Sequence, residues 1–210
     1  MDNTLEVRQL CCERGDKRLF SDLNFSLPAG SLLYVEGANG SGKTTLLRAL
    51  CGLFTPECGQ VLWNGEDSHK LGDAFRGQVI YLGHHNSLKL DLTGIENLHF
   101  SLAVDGVKAG EEALLEALAS MGLAGYEDLP VRVLSQGQKR RVALARLLLT
   151  ESPLWILDEP FTALDVKAVD HLQSIIASHV NQGGMAILTT HQEVALTSGQ
   201  IQRIRLGEHV

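Results

Sequence analysis

A glycine-rich stretch at residues 37–44 has the residue types and spacing of a phosphate-binding loop. It reads GANGSGKT and matches the pattern G-x-x-x-x-G-K-[ST]. Backbone N–H groups of such a loop surround a phosphate, and the N-terminus of the following helix adds partial positive charge. We expect Lys43 to reach the β- and γ-phosphates of a nucleoside triphosphate and Thr44 to ligate Mg²⁺. The predicted phosphate-binding residues are Gly37, Ala38, Asn39, Gly40, Ser41, Gly42, Lys43, Thr44 and Thr45.

Two adjacent carboxylates, Asp158 and Glu159, follow the apolar run at 154–157. Because unbroken apolar residues are typical of a parallel strand buried on both faces, the pair is expected where such sheets bind ligands, at the carboxyl ends of the strands. Asp158 can then hold Mg²⁺ through water, and Glu159 can polarise an attacking water. The alternative interpretation of this pair, two solvated carboxylates at a strand end, is disfavoured by the presence of a phosphate loop. The alternative interpretation of the loop, an ordinary Gly/Ser-rich turn, is disfavoured by its full match to the pattern between a strand and a helix.

A third candidate site is the start of the helix that follows Leu134. Ser135 is placed to cap this helix, which predicts an anion site made of N–H groups and a hydroxyl. We interpret the basic cluster 139–141 as a solvated helix face, since no aromatic residue is interleaved as in a nucleic-acid patch. His191 closes a predicted strand at 185–190, and a histidine there can be a site residue or simply a packed or surface one.

The elements that must position these residues alternate between strand and helix patterns. Strands are predicted at 5–10, 23–27, 32–35, 60–63, 79–82, 154–157 and 185–190. Asn64 and Gly65 predict a hairpin, and Thr93 with Glu96 forms the pattern of a capping box. No strand pattern is found over 93–150, which indicates a helical insertion in an α/β chain. We therefore predict a single domain, 1–210, in which 1–92 and 151–210 form the β-subdomain and core, and 93–150 the helical subdomain.

Composition narrows the function classes. The chain has 210 residues, 44% of them hydrophobic, and a formal charge of −7, which argues against sequence-independent nucleic-acid binding. No run of 18 apolar residues and no signal peptide is found, so the chain is not expected to span a membrane itself. The four cysteines lack zinc or C-x-x-C spacing and are expected to be reduced, as in a cytosolic protein.

The stretch LSQGQ at 134–138, with the phosphate loop and the carboxylate pair, resembles the nucleotide-binding subunit of ABC transporters along essentially the whole chain. The resemblance implies an α/β fold: a P-loop (RecA-like) ATPase core, an N-terminal antiparallel β-subdomain and an inserted α-helical signature subdomain. It implies an ATP-dependent homodimer in which the signature of one chain meets ATP on the phosphate loop of the other, and ATP and Mg²⁺ as ligands. The additional site residues that it implies are Ser135, Gly137, Gln138, Asp165 and His191.

Within this family, the chain resembles one subfamily more closely. The stretches 154–165, 140–147, 61–65 and 81–84 are similar to the haem-exporter ATPases of cytochrome c maturation. This resemblance implies a peripheral subunit on the cytoplasmic face of the bacterial inner membrane, bound to two membrane-spanning transporter subunits. Hydrolysis would then drive haem transfer or the release of a haem-loaded chaperone. None of the eight scattered histidines forms a haem-ligand pattern, and no C-x-x-C-H occurs.

Two departures from the family pattern concern the site. The family usually carries a glutamine after the strand equivalent to 79–82, whereas His84 and His85 occupy that neighbourhood, and either one can replace it. The family also stacks an aromatic residue on adenine from the loop 12–18, which contains none here. Arg14 can stack its guanidinium on the base, or it can be a solvated residue while the phosphates carry all the binding.

Three other functions compete with this interpretation. Another small ABC transporter would differ only in its cargo. A soluble ABC protein of repair or translation is disfavoured because the chain has one phosphate loop, one signature and no sustained heptads. A binding module without hydrolysis is disfavoured by the presence of both Glu159 and His191.

Overall fold

Nine strands in two sheets and seven α-helices make up the described part of the chain. The computed structural model describes residues 3–15, 17–190 and 199–207. The strands are β1 (Thr4–Arg14), β2 (Lys17–Pro28), β3 (Ser31–Gly37), β4 (Cys58–Trp63), β5 (Glu66–Asp67), β6 (Val79–Leu82), β7 (Leu154–Asp158), β8 (Met185–Thr189) and β9 (Gln200–Leu206). The helices are α1 (Lys43–Leu50), α2 (Ser68–Leu71), α3 (Asp73–Arg76), α4 (Gly94–Val104), α5 (Glu111–Ser120), α6 (Gln136–Ala145) and α7 (Val166–Asn181), with short 3-10 turns at Val131–Val133 and Arg146–Leu148.

The first sheet is antiparallel, with strand order β2-β1-β4-β5. The predicted hairpin at Asn64 and Gly65 is confirmed, because both residues have positive φ and the flanking strands pair directly. The connection 12–18 is shorter than predicted, because strand pairing continues to Arg14 and Lys17. Gly15 lies in a turn between the two strands. Register shifts along this pair break the alternation of apolar residues, which is why the sequence pattern ended the strands too early.

The cysteine prediction is wrong for one pair. Cys11 and Cys58 lie on the neighbouring strands β1 and β4, with Cα atoms 5.1 Å apart, and they form a disulfide. They are 47 residues apart in sequence, so their proximity depends on strand register rather than on any local pattern. Cys12 and Cys51 are buried free thiols, and burial raises their pKa values to about 12 and about 11.

The second sheet has the strand order β6-β7-β8-β3-β9, and its pairs β7–β8, β3–β8 and β3–β9 are parallel. Every residue of β7 and β8 is buried, as expected for central parallel strands with unbroken apolar sequences. Because parallel strands all end at the same edge, Gly37, Asp158 and Thr189 are brought to one side of this sheet. The α/β fold with an antiparallel β-subdomain is therefore confirmed.

The helical segment forms its own core from α4, α5 and α6. Residues 93–150 are all described and contain no strand, only an isolated bridge between Thr93 and Pro130. The capping box predicted at Thr93 and Glu96 is confirmed. The buried Asn97 holds the preceding loop on α4, because its amide group bonds the N–H and the carbonyl of Lys89 and the carbonyls of Leu92 and Thr93.

The chain divides into two compact units. The first comprises 1–81, 152–159 and 175–210, and the second comprises 82–151 and 160–174. The predicted helical segment 93–150 lies inside the second unit, which also includes 82–92 and 160–174. Among the described residues, no helix is both long and apolar enough to cross a bilayer.

Candidate functional site

The phosphate-binding pattern forms the predicted connection between a strand and a helix. It joins the end of β3 to α1, whose first residue is Lys43. Lys43 is 8% exposed, and its ammonium donates to the carbonyls of Gly37 and Ala38, at 2.7 and 3.1 Å. A cation and a helix N-terminus therefore share one short loop, an arrangement suited to a phosphate.

Gly42 is required at its position for two reasons. Its φ of +100° is a backbone conformation that other residues rarely adopt. A Cβ atom there would also lie 2.9 Å from the Cβ of Leu19 in β2. The β1–β2 hairpin thus packs against the phosphate loop, which identifies Leu19 as a neighbour of the site that the sequence analysis did not single out.

Thr44 and Asp158 meet across the edge of the parallel sheet. The Thr44 hydroxyl donates to Oδ2 of Asp158 at 2.8 Å, although the two residues are 114 positions apart. Hydroxyl and carboxylate oxygens are the ligands that Mg²⁺ prefers, and Mg²⁺ sites commonly use one or two protein oxygens together with water and substrate phosphates. This oxygen pair, beside Lys43 and the phosphate loop, fits a magnesium–nucleotide complex.

Thr189 connects the Asp158 carboxylate to the backbone of Glu159. Its hydroxyl donates to Oδ1 of Asp158 at 2.6 Å and accepts the backbone N–H of Glu159 at 2.9 Å. Thr189 is fully buried, and Glu159 has a φ of +50°, an unusual backbone conformation for this residue type. No sequence pattern marks Thr189 as a site residue, because a β-branched residue is ordinary in a strand. Its contacts follow from the pairing of β8 with β7.

The predicted helix start at Ser135 is confirmed, and it is a full capping box. Ser135 Oγ accepts the N–H of Gln138, and Gln138 Oε1 accepts the N–H of Ser135. The hydroxyl proton of Ser135 is not used in the cap and can be donated to an anion. Gln138 contributes its side chain to the cap, so its predicted contact with nucleotide stays a prediction.

Gly137 permits a close approach within the second unit. A Cβ atom at this position would lie 2.6 Å from the carbonyl oxygen of Ala163, which itself has a φ of +64°. The following Asp165 bonds the N–H of Ala168 in the first turn of α7 and forms an ion pair with Arg141. These interactions, the backbone bond first, lower the pKa of Asp165. Its predicted contact with nucleotide stays a prediction.

The remaining predicted site residues are distributed as follows. His84 and His85 are both exposed, in the loop after β6, with ring centroids 5.5 Å apart. Arg14 is exposed at the end of β1. His191 lies outside the described residues. The interpretation of 139–141 as a solvated face is wrong for Arg140, which is 3% exposed, because α6 directs it into the second unit.

Comparisons with known proteins agree with this geometry. Residues 20–162 match the family model for ABC transporter. The chain is 53% identical over 203 residues to the cytochrome c biogenesis ATP-binding export protein CcmA of Nitrosomonas europaea, covering 97% of this chain and 95% of that protein. It is also 53% identical over 204 residues to the protein of the same name from Escherichia coli O157:H7, with 97% of each chain covered. A putative ATP-binding ABC transporter protein from Pyrococcus furiosus has a TM-score of 0.82 at 26% identity, covering 95% of this chain and 96% of that one.

The contacts of Thr189 lead to a test of its role in holding the Asp158 carboxylate and the Glu159 backbone. Thr189→Val keeps the shape of the side chain but leaves the Glu159 N–H and Asp158 Oδ1 without this hydroxyl. We expect the free energy of unfolding to fall by about 1–3 kcal/mol, the usual cost of removing one partner from buried polar groups. Thr189→Ser, which keeps the hydroxyl, should show a smaller fall in the free energy of unfolding. Urea denaturation measures the free energy of unfolding of both variants. Equal values for Thr189→Val and Thr189→Ser would contradict the role given to the hydroxyl.

Proposed function

The chain belongs to the ABC transporter family, and we propose that it is the Mg²⁺-dependent ATP-hydrolysing subunit of a membrane complex that handles haem in cytochrome c biogenesis. The observation that carries the hydrolytic part is the bonded series Thr44, Asp158, Thr189 and Glu159 beside the phosphate loop. The cytochrome c part is supported by the names of relatives that are 53% identical over nearly the full length of this chain.

In this proposal the first unit binds the triphosphate. The loop N–H groups and Lys43 contact the β- and γ-phosphates, while Thr44 and Asp158 hold Mg²⁺. Bound Mg²⁺ would neutralise charge on the phosphate oxygens. The Glu159 carboxylate accepts a hydrogen bond from a water and orients it towards the γ-phosphorus. The water oxygen bonds to phosphorus as the bridging oxygen leaves with ADP, and inorganic phosphate is the second product.

The second unit supplies its groups to a partner copy. Ser135 and Gly137 lie at the N-terminus of α6, where N–H groups and a hydroxyl favour an anion. We propose that they contact the γ-phosphate of ATP bound to the other chain, with Asp165 near the same interface. Two chains related in this way enclose two ATP molecules, and dimerisation depends on ATP.

We assign the contact with the membrane-spanning subunits to an apolar groove in the second unit. It has a volume of about 640 Å³ and is lined by Ile95, Phe100, Ala103 and Leu114 among others. Phe100 is 49% exposed, and Lys89 lies over its ring. The occupant that we propose is a helix of a membrane-spanning partner, since the chain belongs to a transporter family and its relatives are named export proteins. This contact holds the chain at the cytoplasmic face of the inner membrane.

The catalytic assignment predicts that binding and turnover can be separated. Lys43→Ala removes the ammonium from the phosphate loop and should abolish tight ATP binding. Glu159→Gln keeps the size of the side chain but accepts weaker hydrogen bonds from water, so it should bind ATP normally and lose turnover by roughly 100-fold or more. Fluorescent-nucleotide titration and phosphate release measure the two quantities. If Glu159→Gln hydrolysed ATP at the wild-type rate, the role given to Glu159 would be wrong.

The biological assignment predicts complementation of a bacterium that lacks its own relative of this chain. Expression of the wild-type chain in such an Escherichia coli strain should restore haem-stained c-type cytochromes in the membrane fraction. Glu159→Gln should not restore them, although it should be present at the same level. Wild-type protein that hydrolyses ATP in vitro, associates with the membrane and yet restores no cytochrome would indicate a different cargo.

A further inference from the structure

Arg140 is a buried cation whose role is not part of the function proposed above. It lies on α6, two residues after the signature stretch ends, and is 3% exposed. Its Nε donates to the carbonyl of Pro160 at 3.2 Å. Its Nη1 donates to the carbonyl of Gly83 at 2.9 Å and to Oδ1 of Asn86 at 3.0 Å. One side chain therefore links three segments that are distant in sequence.

Each of these segments carries groups assigned to the site. Gly83 and Asn86 flank His84 and His85, the candidates for the missing glutamine. Pro160 directly follows Glu159 in the chain. The helix that carries Arg140 begins at the Ser135 cap. The guanidinium thus connects the histidine loop, the chain segment after Glu159 and the signature helix, all through contacts inside the second unit.

The chemistry of arginine explains why this residue type occupies the position. Burying a cation is costly unless its donors are matched by acceptors in good geometry. The guanidinium is planar and directs its donors along fixed lines, so two of its nitrogens can serve acceptors on different segments. Lysine has one compact ammonium on a flexible stem and cannot reproduce contacts that diverge from two nitrogens. The arrangement therefore specifies arginine rather than positive charge alone.

We propose that Arg140 is a positioning residue that fixes the loop 83–86 and the segment at Pro160 against the signature helix. Through it, a displacement of the histidine loop is passed to Ser135 and to the chain next to Glu159. Its contacts with Gly83, Asn86 and Pro160 lie next to groups assigned to hydrolysis, so Arg140 acts on the geometry of hydrolysis. This inference rests on the proposed function, since it concerns regulation of that site.

The first experiment compares Arg140→Lys with a matched control, Arg146→Lys. Arg146 lies in the turn that follows α6 and pairs with Asp105, a residue of neither the loop 83–86 nor the segment at Pro160. For Arg140→Lys we expect kcat to fall roughly 10- to 100-fold, the scale set by small misplacements of reacting groups, with the Kd for ATP changed less than about twofold. Arg146→Lys should keep the wild-type kcat. Equal kcat values for wild type and Arg140→Lys would overturn the proposal.

A double-mutant cycle with Asn86→Ala separates positioning from general destabilisation. If Arg140 acts through the loop, Asn86→Ala should lower kcat in the wild-type background and have little further effect in the Arg140→Lys background. Fold-changes in kcat that simply multiply in the double variant would show that the two residues act independently, which contradicts the proposal. Thermal melts confirm that each variant is folded at the assay temperature.

Hydrogen–deuterium exchange supplies a measurement that does not depend on turnover. In Arg140→Lys, backbone amides of peptides covering 83–90 and 160–164 should exchange faster, while those covering 43–50 should exchange as in wild type. Unchanged exchange at 83–90 would overturn the inference even if no protein hydrolysed ATP. Absence of turnover in both wild type and Arg146→Lys would instead contradict the proposed function alone.

Discussion

The hydrogen bonds of Asp158 to Thr44 and Thr189 are the constraint on which the site depends. They join the helix after the phosphate loop to the carboxyl ends of β7 and β8, and Thr189 extends the connection to the backbone of Glu159. Because parallel strands end at one edge, the order of the sheet brings these three segments together. The buried strands thereby fix the relative positions of the proposed metal-binding pair and the proposed base.

Two unusual backbone conformations lie in the turn that follows β7. Glu159 and Ala163 both have positive φ, although neither is glycine. Each such residue costs free energy and persists where surrounding contacts determine it. The N–H of Glu159 is held by Thr189, and Ala163 is close to Gly137 at the start of the signature helix. In this turn the Glu159 N–H is therefore bonded by the Thr189 side chain, and the Ala163 carbonyl lies where only a glycine at 137 leaves room.

Features were predictable from the sequence where the interacting residues are close together in the chain. The capping box at Thr93, the helix cap at Ser135 and the turn at Asn64 depend on residues within four positions, and all three predictions are confirmed. The phosphate loop has a local pattern as well. By contrast, the disulfide, the contacts of Thr189 and the burial of Arg140 depend on strand register or helix packing between distant segments. No residue spacing in the sequence predicts these contacts. A basic cluster is interpreted as solvated unless the packing of its helix is known.

The central claim is that one chain holds a complete phosphate loop and a signature that serves another chain's nucleotide. Light scattering during size-exclusion chromatography of Glu159→Gln tests it most directly, because slow turnover preserves bound ATP. With Mg²⁺ and ATP, the account predicts about twice the 22.8 kDa mass of a single chain, and the single-chain mass without nucleotide. A mass of 22.8 kDa under both conditions, with ATP shown to be bound, would contradict it.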